Sequence, residues 1–224
     1  MHHTIQVTIE GTTDLVFDNP ESANPISEVA LKKTALNKAQ KKKDVTPEKK
    51  IEILQELADL EVRHGWYHNG ERPYFPIAWV LKSLNAAARD QKLGKAVDRS
   101  VSSPMQVILP EFRGGKDLDS LVANPHFRWT RTVASRNGAN IVRVVKSNPV
   151  IPSGWKAKII LVIDDTKLTV DNVIAFLDKV GRFAGFGPGR SMQRGRFNIT
   201  KVERLAAEET EEVVIPIEDV VSFS

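Results

Sequence analysis

The 224-residue sequence predicts an α+β fold with a ferredoxin-like β-α-β-β-α-β core. Strand patterns rich in apolar and β-branched residues occur at 3–10, 104–109, 156–163 and 195–202. Helical patterns lie between the first and second of these strands, and between the third and fourth. The remaining residues form two insertions, so a single domain is expected over residues 1–202.

The first strand has one apolar side, because Ile5, Val7 and Ile9 alternate with polar residues. That side is expected to face the core. Gly11 ends the strand, and the stretch to Pro25 is a loop because it is rich in Asn, Asp, Pro and Ser.

A helical insertion, residues 26–63, is expected after the first strand. Ser27 supplies a hydroxyl cap for its first helix. Thr46, Pro47 and Glu48 start its second helix, with a hydroxyl cap, a proline in the first turn and an early carboxylate. The apolar face of the second helix consists of Ile53, Leu57 and Leu60.

The first core helix follows an aromatic segment. The turn dipeptide Asn69-Gly70 separates two aromatic runs, which predicts a short hairpin. Pro76 then starts a helix over residues 77–92, with apolar residues at core spacing, and this helix is expected to end near Gly94.

The second insertion, residues 111–150, contains a basic β-hairpin. Two β-prone runs, 129–135 and 140–145, flank the turn dipeptide Asn137-Gly138. No acid occurs from residue 126 to 148, so this hairpin is a candidate surface for phosphate. Its predicted nucleic-acid-binding residues are Arg128, Trp129, Arg131, Arg136, Arg143 and Lys146.

A glycine-rich segment lies between the last core helix, predicted at 169–183, and the last strand. Residues 181–197 contain five glycines, and no acid occurs between Lys179 and Lys201. Glycine allows close backbone approach and exposes amide groups, while arginine supplies charge, so phosphate is the expected ligand. The predicted binding residues are Arg182, Gly185, Phe186, Gly187, Gly189, Arg190, Arg194, Gly195 and Arg196.

This segment differs from two well-known phosphate-binding loops. A Walker loop would place Lys-Ser/Thr directly after its last glycine, and a dinucleotide fingerprint would follow a strand and open a helix. The segment here does neither, because it follows a helix and leads into a strand.

Charge is distributed unevenly along the chain. The net charge is +4, but residues 203–224 contain seven acids and one arginine, a charge of −6, which leaves +10 on residues 1–202. A basic body attracts polyanions. The acidic C-terminal tail, 203–224, is expected either to screen that surface or to contact a neighbouring subunit.

Composition excludes several classes of protein. The chain has no cysteine, so disulfides, thiolate metal sites and a cysteine nucleophile are excluded. No apolar run approaches the ~18 residues of a membrane span, and the first residues lack a signal-peptide pattern. A cytoplasmic protein without a membrane partner is expected.

No catalytic set can be assembled from the sequence. His64 and His68 are four residues apart, but Gly65 and the following turn argue against a shared helix face, and His126 is a better candidate for contacting a base or phosphate. Asp14 and Asp18 lie in the loop after the first strand, and Asp164-Asp165 end a core strand. Paired acids could bind Mg²⁺ through oxygen ligands, but Asp-Asp before a turn and a helix is interpreted as turn and capping residues. We therefore expect no catalytic residue, no metal and no cofactor, with nuclease activity left open as an alternative.

The glycine-rich segment resembles a known family. Gly185-Phe186-Gly187, a variable stretch and then Gly195-Arg196-Phe197 are similar to the C-terminal glycine-rich loop of the RAMP superfamily, the RNA-binding proteins of CRISPR effector complexes. Tyr74-Phe75-Pro76, followed by a helix with Ala86-Ala87-Ala88-Arg89, resembles the first RAMP helix and the segment before it. The resemblance covers residues 3–10 and 66–202.

The resemblance implies a ferredoxin-like, RRM-like fold with a hairpin "thumb", which corresponds to residues 126–148. For backbone-type members it also implies many copies assembled along one strand that is held mainly by its phosphates. The arrangement, with its helical insertion, is also similar to uncharacterised RAMP-like proteins of bacteriophages and prophages, which would place it in a bacterial host cell.

The expected function is non-catalytic, largely sequence-independent binding of single-stranded DNA or RNA, with oligomerisation along the strand. Arginines would hold phosphates, and Trp129 and Phe186 are candidate stacking faces for bases. Two alternatives stay open. One is a binder of a small phosphorylated ligand such as a signalling oligonucleotide, and the other is a purely structural assembly protein. The sequence does not distinguish DNA from RNA.

Overall fold

The computed structural model describes residues 1–42, 44–137 and 140–206, without the side chains of residues 22, 23, 135–137 and 140–142. Within these residues the chain is α+β, as the sequence predicted. The strands are β1 (His2–Gly11), β2 (Leu15–Val16), β3 (Phe75–Pro76), β4 (Val101–Ser102), β5 (Val107–Ile108), β6 (Arg128–Asn137), β7 (Asn140–Ile151), β8 (Lys156–Asp164) and β9 (Phe197–Leu205). The helices are α1 (Glu28–Ala39), α2 (Pro47–Gly65), α3 (Ala78–Ala88), α4 (Gly94–Ser100), α5 (Leu118–Ala123) and α6 (Val170–Lys179).

The core is built on a four-stranded sheet with the order β4-β8-β1-β9, in which every neighbouring pair is antiparallel. The alternating apolar residues of β1 pair with those of β8, as in Val7 opposite Ile159, and both are fully buried. Because side chains alternate between the two faces of a strand, one face of the sheet is apolar throughout. Helices α3 and α6 contribute Leu84 and Leu177 to the same core.

Helices α1 and α2 begin as their capping residues predict. The Ser27 hydroxyl accepts a hydrogen bond from the Ala30 amide, and the Thr46 hydroxyl accepts one from the Lys49 amide. Helix α2 packs against β7, whereas α1 has no buried side chain. Helix α1 is instead linked to α2 by two ion pairs, Lys32 with Glu56 and Lys33 with Glu61.

The hairpin of β6 and β7 is fixed at its base by polar contacts. The side chain of Glu61 on α2 accepts a hydrogen bond of 2.8 Å from the backbone amide of Ser147, and the Ser147 hydroxyl lies 2.8 Å from that of Thr130. Arg128 forms an ion pair with Asp59, also on α2. Helix α2 therefore supports the hairpin from one side.

The strand predicted at 104–109 is replaced by two strands of two residues each, β4 and β5. Proline at 104 lacks an amide hydrogen and interrupts the ladder with β8. The backbone of Ile160 is paired with side chains instead, since its carbonyl accepts from the Ser103 hydroxyl at 2.6 Å and its amide lies 3.4 Å from the Met105 sulfur.

Two further local predictions hold in part. The helix predicted over 77–92 is present as α3 followed by a 3-10 turn, Arg89–Gln91, which ends at Lys92 (φ 61°), and Gly94 then begins helix α4. The aromatic hairpin is reduced to a turn with one isolated bridge, His68 to Pro73. The hairpin turn predicted at Asn137-Gly138 lies partly outside the described residues.

We predict that Glu61→Ala lowers the free energy of unfolding by about 1–3 kcal/mol, because the buried Ser147 amide loses its acceptor. The control is Glu56→Ala, which removes only the exposed pair with Lys32 and should cost less than about 0.5 kcal/mol. Urea denaturation of both variants measures the difference. Equal losses would show that Glu61 does not support the hairpin.

Candidate nucleic-acid interface

The glycines of segment 181–197 are used mainly to let the chain pack against itself. Gly195 has φ +73°, and a Cβ atom there would lie 2.1 Å from the Phe186 carbonyl oxygen. Gly187 has φ +73°, and a Cβ atom there would lie 2.8 Å from the ring of Trp79. Larger residues would strain the backbone and collide with these neighbours.

Several amides that were expected to be available for phosphate are already bonded within the protein. The Gly185 amide donates to the Val180 carbonyl at 2.7 Å, and the Gly195 amide donates to the Asp14 carbonyl at 2.7 Å. The predicted roles of Gly185 and Gly195 as backbone donors to a ligand are therefore corrected. Their amides are occupied because the two arms of the loop close on each other and on the segment after β1.

Phe186 is also corrected, because its ring is fully buried and has no face to offer a base. The ring stacks on Phe197 with a centroid distance of 4.5 Å and lies near Phe75 at 6.1 Å. Phe197 is itself buried. Phe127, just before β6, is buried against Phe112.

The hairpin and the glycine-rich segment converge at the ring of Trp129. The guanidinium of Arg131, from the same strand, lies 4.4 Å from the ring centroid, and that of Arg194, from the glycine-rich segment, lies 5.1 Å from it. Arg131 also reaches Met192 of the glycine-rich segment, with its Nη1 atom 3.2 Å from the sulfur. Cation–π contact fixes the faces of the two guanidinium groups and leaves N–H edges for a ligand.

Lys146 belongs to the same face of the hairpin, because it pairs with Arg131 in the antiparallel register. We call Trp129, Arg131, Lys146 and Arg194 the hairpin–loop cluster. Two of its three cations are paired with carboxylates of the segment after β1, Arg194 with Asp14 and Lys146 with Asp18 at 2.6 Å. Arg131 has no carboxylate partner among the described residues.

The other cations of the hairpin do not join the cluster. Arg128 and Arg143 alternate with its members along the two strands and therefore belong to the opposite face. Arg128 pairs with Asp59 and also contacts the Val122 carbonyl at 3.3 Å, while Arg143 is exposed. The side chain of Arg136 lies outside the described ones.

The remaining arginines of the glycine-rich segment point to different surroundings. Arg182 forms an ion pair with Asp178 one turn earlier, at 2.8 Å. Arg196 lies 3.4 Å from the Phe183 carbonyl oxygen. Arg190 lies beside Ser83 of α3, 3.5 Å from its hydroxyl, and Gly189 precedes it with φ +86°.

The histidines that were weighed as catalytic candidates have other surroundings. His68 bonds to the Lys116 carbonyl at 2.8 Å and accepts from the Gly70 amide, so it stabilises a turn. Burial, together with the charge of Arg63, lowers the pKa of His64. His126 is exposed beside the base of the hairpin.

Of the pair Asp164-Asp165, interpreted as turn and capping residues, Asp164 has that role and Asp165 forms an ion pair instead. Asp164 accepts from the Thr166 amide at 3.1 Å, which lowers the pKa of its carboxyl. Asp165 binds the N-terminal amine at 2.7 Å and His3 at 3.0 Å. No group of three or more His, Asp or Glu residues with metal-binding geometry occurs in the part of the chain that the structure describes. None of the described helices is long and apolar enough to span a membrane.

Comparisons with known proteins place the fold. No protein-family model and no curated protein matches the chain. Among solved structures, a chain of the type III-B Cmr-beta complex bound to cognate target RNA is similar, with a TM-score of 0.50 and 10% identity, over 92% of this chain and 61% of that chain. Cmr6 from Pyrococcus furiosus matches with a TM-score of 0.37 and 10% identity, over 89% of this chain and 98% of that chain.

The first of these likenesses concerns the fold alone, and this chain spans about three fifths of the length of that neighbour, 61%. This likeness of fold agrees with the fold that the sequence resemblance implied.

We predict that Gly195→Ala destabilises the protein more than Gly154→Ala. Both glycines have positive φ, so each alanine costs about 1–2 kcal/mol of backbone strain. Only Gly195 faces a close neighbour, and overpacking there adds about 1–3 kcal/mol, whereas nothing lies within 4 Å at Gly154. Urea denaturation compares the two variants, and equal free energies of unfolding would contradict the close packing of the loop.

Proposed function

We propose that this protein is a non-catalytic binder of single-stranded nucleic acid, which holds the phosphate backbone at the hairpin–loop cluster. The observation that carries this proposal is the meeting of Arg131 and Arg194 on the ring of Trp129. Two basic stretches that are distant in sequence supply one cationic surface there. The type III-B neighbour is bound to target RNA, which supports the same class of ligand for this chain.

The sheet supports the finer interpretation of the fold. The order β4-β8-β1-β9 is the order expected when a β-α-β-β-α-β unit folds as a ferredoxin-like core. On this interpretation α3 and α6 are the two core helices, residues 26–63 are the helical insertion, and residues 111–150 contain the thumb. Strand β9 runs beyond residue 202, the expected end of the domain, to Leu205.

The geometry gives Trp129 a different role from the one expected of it. Two guanidinium groups already lie over its ring, so we assign it to orienting Arg131 and Arg194 rather than to stacking on a base. A guanidinium held by its face presents N–H donors to phosphate oxygens. Contacts to phosphate carry no direct sequence information, which accounts for binding that tolerates any sequence.

We extend the proposal to several copies binding side by side along one strand. A cationic surface that reads only the backbone repeats its contacts wherever phosphates occur, and cooperativity along the strand is common in such proteins. Strands of increasing length should then carry increasing numbers of copies, which light scattering of the complexes counts directly.

The affinity for a labelled 30-mer is predicted to fall steeply with salt, because each phosphate contact releases counterions. Arg131→Ala should weaken binding roughly tenfold and reduce the slope of log affinity against log salt by about 1. Arg143→Ala is the matched control, because it removes the same charge from the opposite face of the hairpin. Fluorescence anisotropy at two salt concentrations measures both effects.

Absence of binding at the lower salt concentration would reject the proposed function. If Arg143→Ala weakened binding as much as Arg131→Ala, net charge would be responsible, and the hairpin–loop cluster would not be the site.

Asp14 competes with phosphate for Arg194, so its neutralisation should strengthen binding. We predict that Asp14→Asn raises the affinity for the 30-mer by about two- to fivefold, the order of one exposed ion pair. The asparagine keeps an oxygen for the Ser153 amide, which donates to Asp14 at 3.1 Å. Asp90→Asn, which frees Lys179 elsewhere, changes the net charge equally and serves as the control. A gain of the same size in both variants would contradict this account of Asp14.

A further inference from the structure

A groove of about 370 Å³ lies beside the hairpin–loop cluster. Its walls come from four separate parts of the chain, namely the segment after β1, the aromatic turn before β3, helix α3 and the glycine-rich segment. The side chains that matter for its chemistry are Tyr67, Trp79, Lys82 and Arg190. None of the roles assigned above uses this space.

Two sides of the groove are aromatic and firmly held. The ring of Trp79 stacks on buried Phe75 at a centroid distance of 5.7 Å, and Tyr67 meets Trp79 edge to face at 5.8 Å. Both Tyr67 and Trp79 are half-buried, so part of each side chain remains accessible. Gly187 permits the close approach of the loop to Trp79, as described above. The aromatic wall is therefore rigid before any ligand binds.

The two cations that line the groove differ from most nearby cations in having no carboxylate partner. Lys82 and Arg190 are exposed, and neither is paired with a carboxylate among the described residues. In contrast, Arg182, Lys146 and Arg194 each have an acidic partner. Asp18, the one acid that lines the groove, is engaged with Lys146 at 2.6 Å. Lys82 thus keeps its hydrogen-bond donors for an anionic ligand, and so does Arg190 apart from the N–H group that donates to the Ser83 hydroxyl at 3.5 Å.

Flat aromatic surface beside two free cations matches the chemistry of one nucleotide. A base has a π-face that stacks on aromatic side chains, and a phosphate accepts hydrogen bonds from lysine and arginine. Pockets of about 300–1,000 Å³ are of the size that holds small ligands, so the groove has room for one nucleotide.

We infer that this groove binds a single nucleotide, with its base against Trp79 and Tyr67 and its phosphate on Lys82 and Arg190. Its assignment to a nucleotide of a bound strand rests on the proposed function, because Asp18 connects the groove with Lys146 of the hairpin–loop cluster. One base would then turn out of the strand into the groove while its neighbours cross the cluster.

Titration with uridine 5′-monophosphate and adenosine 5′-monophosphate, followed by NMR, tests the groove without a strand. Both should bind at least roughly fivefold more tightly than ribose 5-phosphate and inorganic phosphate, because only the nucleotides can stack. The double variant Lys82→Ala/Arg190→Ala should lose most of this affinity. Lys158→Ala/Lys167→Ala removes two exposed lysines elsewhere and is the matched control. Thermal unfolding of both variants checks that they fold.

The inference is overturned if inorganic phosphate binds as tightly as the nucleotides, or if the two double variants bind the nucleotides equally. A strand that carries one 5-iodouridine gives an independent readout, since irradiation should cross-link it to Tyr67 or Trp79. Cross-linking only to other residues would reject the occupancy of the groove by a strand. The 30-mer is measured separately, so the two proposals can fail independently. If the strand binds but the nucleotides do not, only the inference about the groove is rejected. If the nucleotides bind but the strand does not, only the proposed function is rejected.

Discussion

Asp14 is the residue on which the candidate interface depends, because it connects three segments that are far apart in the sequence. Its carboxylate pairs with Arg194 and accepts from the Ser153 amide, while its carbonyl accepts from the Gly195 amide. The segment after β1 is thereby tied to the end of β7 and to the glycine-rich segment. Together with the hydrogen bond from the Phe186 amide to the Gly195 carbonyl, these bonds position the backbone that carries Arg194 beside the ring of Trp129.

Much of the fold could be predicted because the relevant signals are local. Alternation identified β1 and its buried face, and hydroxyl caps identified the starts of α1 and α2. The glycines of segment 181–197 also indicated an unusual backbone conformation, and four of them have positive φ. The same signals failed where a side chain replaced a strand partner, as Ser103 does for the carbonyl of Ile160.

The candidate site was only partly predictable. The sequence indicated which residues belong to it, but it did not show which side chains contact one another. Arg131 and Arg194 were expected to bind phosphate, yet nothing local shows that both lie over Trp129. Glycine was interpreted as exposing amides, although the same residue type also allows two backbone segments to touch, as at Gly195. The sequence shows only that Phe186 follows a glycine, and the tertiary structure is needed to show that its ring is buried.

The regular pairing of β6 with β7 restricts how this protein can change over evolution. Trp129 and Arg131 are two positions apart on β6, and Lys146 lies directly opposite Arg131 on β7. The ladder therefore places all three side chains on one face of the hairpin. Inserting one residue near the base of β6 would move every β6 side chain beyond the insertion to the opposite face of the hairpin. Length changes between the base and Trp129 are therefore tolerable only in steps of two, a parity rule that homologous sequences must obey if they keep this surface.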